Sequence, residues 1–159
     1  MLSELLSTER VRVPLGSHSK ADLLRELVTL ALRDRDVSEE TMGGVLAAVV
    51  MREATMSTAM GGGLAVPHGR TDLVPEVYLA AGLAEGVSDY ASPDSAPVRA
   101  IFLVLTPVEA SGAHVKVLAR IARILHHADS REALFRSRSA EEFVGVIRRS
   151  EGIRQAQAS

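Results

Sequence analysis

Between Arg52 and Gly69 the chain reads Arg52-Glu-Ala-Thr-Met-Ser-Thr-Ala-Met-Gly-Gly-Gly-Leu-Ala-Val-Pro-His68-Gly69, and within those residues a helix gives way to a strand. Upstream, Ser38 followed by Glu39 and Glu40 starts a helix, with a hydroxyl to cap it and acids against its positive end. Leu46, Val49 and Val50 face inward along it, and it should end near Arg52 or Glu53. Residues 55–63 are mostly small and close with three glycines, which expose backbone N–H groups and tolerate positive φ, so a loop is expected there. Residues 64–66 make a short apolar strand stopped by Pro67. His68 therefore stands at a strand end on a stiffened backbone, beside the N–H donors of the glycine run.

Working outward, residues 10–15 alternate polar and apolar as a short strand does, and 77–83 and 98–105 are stronger strand candidates. The last is almost continuously apolar, which marks a central strand. Residues 85–97 between them are a polar connection. Ser19 and Asp22 open an amphipathic helix carrying Leu23, Leu24, Leu27, Val28 and Ala31. Residues 112–127 read as the clearest helix, and shorter ones follow at 130–136 and 139–149, the second opened by a capping-box spacing at Ser139-Ala-Glu-Glu142. Strands in the middle with helices at both ends predict a single α/β domain, a mixed β-sheet flanked by helices on both sides. That domain spans residues 1–150, and 151–159 are a polar, frayed C-terminal tail.

Composition removes several classes of function. The chain has 159 residues, of which 47% are hydrophobic and 24% charged, the balance of a globular domain. It has no cysteine, so disulfides, thiolate metal sites and thiol nucleophiles are excluded. Net charge is −2, with 9 basic against 15 acidic groups in residues 1–111 and 9 against 5 in 112–159. With five aromatics and no Trp, that modest basic excess reads as a solvated helix face rather than a nucleic-acid surface. The first ten residues lack a basic cluster and a long apolar core, and no apolar run approaches membrane length, so a soluble, cytoplasmic protein without membrane insertion is expected.

The histidines carry most of the chemistry. An ordinary imidazole is largely neutral at pH 7, so a ring nitrogen of His68 is free to attack an electrophile. His114 falls in one register with Leu118, Ile121 and Leu125, which faces it inward in the first turn of its helix. There the helix dipole disfavours imidazolium and favours a neighbouring anion such as phosphate. Arg52, at a helix end, has the side chain best shaped to stabilise phosphoryl oxygens. His18 precedes a helix, and His126 and His127 sit at a helix C-terminus, so these three read as exposed polar residues. Walker, dinucleotide, HExxH and GxSxG motifs do not occur, and no metal or cofactor is expected.

Together these residues resemble the enzyme IIA component of the bacterial phosphoenolpyruvate-dependent phosphotransferase system, in its fructose/mannitol-type (type 2) family, which includes the nitrogen-regulatory branch. The stretch 52–69 is similar to that family's RE…ST..G.G.A.PHG signature. Asp94-Ser-Ala-Pro-Val98, Ile101-Phe-Leu-Val-Leu-Thr-Pro107, and His114 with Leu118-Ala-Arg-Ile-Ala122 resemble it further. The resemblance implies that His68 is the phosphorylated nucleophile, taking a phosphoryl group on Nε2 from the phosphohistidine of a small phosphocarrier protein. It implies that His114 hydrogen-bonds the transferred group, that Arg52 neutralises it and that Thr58 binds nearby. Met56, Met60 and Val115 depart from the family's usual residues, all apolar or backbone-adjacent changes. Three outputs stay open: nitrogen-type regulation of a target protein, transfer to a sugar-transport IIB domain, or a non-catalytic interaction module.

Overall fold

A computed structural model describes residues 1–157 of the chain. Its centre is β6 (Val98–Thr106), whose residues from Ala100 onward split by parity between two layers. Ile101, Leu103 and Leu105 point into one hydrophobic core, with Leu23, Leu27, Val45 and Val49 from α2 (Lys20–Ala31) and α3 (Glu39–Thr55). Ala100, Phe102 and Val104 point into the other, with Val117, Ile121, Phe143 and Ile147 from α4 (Ser111–Leu125) and α6 (Ala140–Gln157). A strand buried on both faces has no polar positions to alternate with. Each large side chain buried there contributes roughly 1.5–3 kcal/mol, so β6 anchors both layers.

Around it lies a mixed sheet, six-stranded among the described residues and ordered β1-β5-β6-β3-β2, with β4 also pairing β6. β5 (Tyr78–Val87) runs antiparallel to β6 on one side. On the other side β3 (Leu64–Ala65) and β4 (His68–Arg70) run parallel to it in succession, Leu64 opposite Ala100 and His68 opposite Val104. Pro67 interrupts the edge between them, and its carbonyl accepts from Val104 N–H at 3.1 Å, which keeps β4 in line. β1 (Val11–Arg12) pairs with β5, and β2 (Ala59–Gly61) folds back on β3. The α/β architecture with helices on both faces is as the pattern predicts.

The differences are local. The region expected as a loop contains β2, because Gly61, Gly62 and Gly63 all take positive φ (85°, 63° and 78°) and turn the chain into a tight hairpin. Gly62 N–H does not stand free for a ligand: it donates to Asp94 Oδ2 at 2.7 Å. β5 runs on to Val87, and Tyr90 beyond it is buried. A first helix, α1 (Leu2–Leu5), precedes a 3-10 turn at Thr8–Arg10, neither foreseen. Between α4 and α6 lies α5 (Ala128–Phe135). α6 continues through the expected tail to Gln157, and the last two tail residues lie outside the described ones. Glu151 on that extension accepts from Ser3 N–H at 3.1 Å and Ser3 Oγ at 2.9 Å, a cap on α1. Among the described residues, no helix is long and apolar enough to cross a membrane.

Candidate functional site

α3 packs against β4, and α4 packs against the neighbouring β6. In a parallel pair, registered residues share a face, so His68 and Arg70 lie on the side of Val104 and Thr106, toward α4. Gly69 lies on the opposite face, where a Cβ would come within 3.0 Å of Val49 Cγ2 and 3.3 Å of Val49 N. Only a residue without a side chain lets α3 approach so closely. Arg52 is three residues beyond Val49 on the same helical face, and that approach carries it to the rim beside His68.

Ala48, Arg52, His68, Gly69, Arg70 and His114 line one open depression there, and Thr58, Met60, Val66, Leu118 and Ala122 continue it past His68 and Arg52. His68 is half-buried, and its ring lies edge-on to that of His114, centroids 5.2 Å apart at 66°. His68 Nδ1 is 2.9 Å from the carbonyl oxygen of Val66. A carbonyl can only accept, so Nδ1 carries the proton and donates it, which leaves the lone pair on Nε2.

His114 is buried on α4, with Nδ1 2.8 Å from Thr106 Oγ1. Burial first, and then the neighbouring His68, Arg70 and Arg52, hold its pKa below the usual histidine range. Arg52 donates Nη1 to Met56 O at 2.8 Å, closing the C-terminus of α3. Arg70 donates to Val108 O. Two guanidinium groups, an imidazole lone pair and a neutral imidazole thus meet on a rim whose lining contains no carboxylate among the described residues. Such a rim suits an anion with several oxygens.

Thr58 borders the depression, but its hydroxyl turns away from it. Oγ1 donates to Glu53 Oε2 at 2.6 Å and, its proton spent, accepts from Tyr90 OH at 2.7 Å. Thr58 N–H also donates to Glu53 Oε1, at 2.8 Å, and Lys20 Nζ lies 3.1 Å from the same oxygen. Burial pushes the Glu53 carboxyl up, but the Thr58 hydrogen bonds and Lys20 outweigh it and hold its pKa below the usual range. Burial raises the Tyr90 phenol well above its ordinary value.

Arg70 and Thr106 belong to the site and went unpredicted. The signal for Arg70 is strand period, since it stands two residues beyond His68. His18, His126 and His127 are exposed, and none of them lines this depression. On α4, Val117 and Ile124 are buried with Ile121, and Val115 is 64% exposed.

A family model described as phosphoenolpyruvate-dependent sugar phosphotransferase system, EIIA 2, matches residues 4–150. The chain belongs to that family. A nitrogen regulatory protein of Bradyrhizobium diazoefficiens is 31% identical over 92% of this chain and 94% of its own length. The crystal structure of the nitrogen regulatory protein IIA-Ntr from Neisseria meningitidis is similar at a TM-score of 0.83 and 31% identity, over 92% of this chain and 98% of that one. Enzyme IIA for mannitol of Escherichia coli, solved in complex with phosphorylated enzyme IIB, shares the fold at 19% identity and a TM-score of 0.74, over 90% of this chain and 98% of that one. This EIIA-type chain thus comes from a family devoted to phosphoryl transfer, with close relatives named for nitrogen regulation.

Proposed function

We propose that this chain is a histidine phosphocarrier that takes a phosphoryl group onto His68 Nε2 from a phosphohistidine of the system's small phosphocarrier protein. One observation carries the reading: His68 commits its only N–H to the Val66 carbonyl, which leaves a nucleophilic lone pair at the mouth of a cationic depression. The Nε2 lone pair forms the new P–N bond as the donor's P–N bond breaks, and the donor imidazole leaves with that bond's electron pair. The transition state is loose, with charge spread over three oxygens, so positioning and electrostatics supply the catalysis. Arg52 and Arg70 neutralise those oxygens, and His114 hydrogen-bonds one of them. Thr58 acts through the loop it ties to Glu53 rather than on the phosphoryl group.

The open, shallow site supports a protein donor, since two imidazoles must meet in line at one phosphorus. Met51, Met56, Met60 and Val115 are exposed at 72%, 69%, 46% and 64% and are chain neighbours of the site or part of its lining. Flexible thioethers of this kind suit a partner surface that adapts. Relatives named for nitrogen regulation, at 31% identity and matched over most of their length, support a nitrogen-regulatory output. A second reading, onward transfer to a IIB domain, is favoured by the fold shared with the mannitol protein solved beside its phosphorylated IIB.

Intact-mass spectrometry after incubation with phosphoenolpyruvate, enzyme I and the phosphocarrier protein tests the proposal. One acid-labile phosphoryl group is expected on the wild type and none on His68→Ala. Phosphorylation of His68→Ala at the wild-type rate refutes the assignment.

A further inference from the structure

Thr106 ends β6 with its side chain wholly buried, and its Oγ1 lies 2.8 Å from His114 Nδ1. Among the described residues that is the only hydrogen bond Oγ1 makes; the residue's carbonyl is taken separately by Thr71 N–H at 2.9 Å. A hydroxyl has one proton to give, and in a core that proton needs an acceptor. Were Oγ1 to accept from an Nδ1–H, its own proton would be stranded, the costly outcome for a buried donor. With Oγ1 as donor, the hydroxyl and Nδ1 are both satisfied.

We infer that Thr106 is a positioning residue, donating its hydroxyl proton to His114 Nδ1 and so holding His114 in the tautomer that carries its proton on Nε2, the nitrogen left for the depression. The two site histidines are then locked in opposite senses. His68 gives its Nδ1 proton inward and keeps a lone pair on Nε2. His114 receives a proton inward and presents an N–H. One attacks phosphorus and the other donates to a phosphoryl oxygen, so neither competes for the other's part. A proton added at Nδ1 of His114 would displace the Thr106 hydrogen bond, which agrees with the lowered pKa of that ring. The fold places Thr106 for this: it continues the face of Ala100, Phe102 and Val104, which pack with α4, and β4 sets Arg70 opposite Thr106.

The inference rests on the His68 reading for its purpose but not for its test. Nitrogen-15 shifts of the His114 ring read the tautomer directly, and the wild-type protein should show a bare Nδ1 and a protonated Nε2. In Thr106→Val, which keeps the branched shape, the ring should redistribute toward Nδ1–H, and Thr106→Ser should restore the wild-type pattern. Phosphoryl acceptance should slow about tenfold in Thr106→Val, the value of one hydrogen bond to a charged group. Thr106→Ser should recover most of the rate. In a His114→Ala background the valine substitution should add nothing, which a merely structural role would not produce. A protonated Nδ1 in the wild type overturns the inference, and so does equal slowing by Thr106→Val with and without His114. If the wild type takes no phosphoryl group from a competent donor, the His68 reading falls and the ring shifts alone decide Thr106.

Discussion

Removing the Glu53 carboxylate should cost the fold about 3 kcal/mol, although the residue itself does not line the depression beside His68. Its two oxygens accept from Thr58 N–H, Thr58 Oγ1 and Lys20 Nζ at 2.8, 2.6 and 3.1 Å, and the side chain is only 3% exposed. Hydrogen bonds to a charged acceptor contribute roughly 1.5–3 kcal/mol each, and severing a buried pair by deleting one partner costs roughly 3–5 kcal/mol. Both figures shrink here. Lys20 is 24% exposed and can turn its ammonium to water, and Thr58 is half-buried. Glu53→Ala is therefore expected to lose about 3 kcal/mol, and Glu53→Gln, which keeps the volume and one acceptor, about 2 kcal/mol. For a domain of this size the alanine variant corresponds to a drop of roughly 6–12 °C in Tm. Urea unfolding with an unchanged slope measures the loss, and a cycle with Thr58→Val should show coupling of about 1 kcal/mol. Phosphoryl acceptance should slow as well, because Glu53 secures the segment whose Met56 carbonyl holds Arg52. An alanine variant within about 0.5 kcal/mol of wild type, or strict additivity with Thr58→Val, would show that the network carries no such load.

Two further outcomes follow from the same geometry. Because His114 has a lowered pKa in the fold, the unfolded chain binds more protons; stability should be full above the ordinary histidine value of about 6.5 and fall as pH drops through it toward the lowered value. His114→Gln should flatten that part of the urea-midpoint profile, and an unchanged slope would place its origin elsewhere. Gly69→Ala should destabilise by about 1–3 kcal/mol and slow acceptance, since its methyl meets the Val49 side chain and backbone and pushes α3, with Arg52, away from His68. Wild-type stability and rate in that variant would mean that α3 yields without moving the site.

Legibility from the residues alone depended on whether a position's reason was local. β6 reads as central because its side chains are apolar on both faces, and α4 reads as a helix because its burial repeats every three to four residues. His68 and His114 stand out because each interrupts such a pattern at a place where an imidazole has no packing purpose. β2 is hidden because small residues and glycines carry no alternation, and its pairing is set by a turn that only positive φ permits. α6 outruns its apolar stripe because Glu151 is held by the far N-terminus, a contact between residues nearly the whole chain apart. Thr58 is a case where the pattern leaves the partner open. A hydroxyl beside the signature histidine invites a ligand role, yet the carboxylate five residues before it has the stronger claim on its proton.

The Val66 carbonyl that holds His68 belongs to the main chain, so no codon change at position 66 short of one that bends the backbone can remove it. The hold on His114 comes from a side chain and disappears with a single substitution at Thr106. Mutation thus acts unequally on the two rings: the orientation of His68 is shielded from genetic drift in its surroundings, and that of His114 is left open to adjustment.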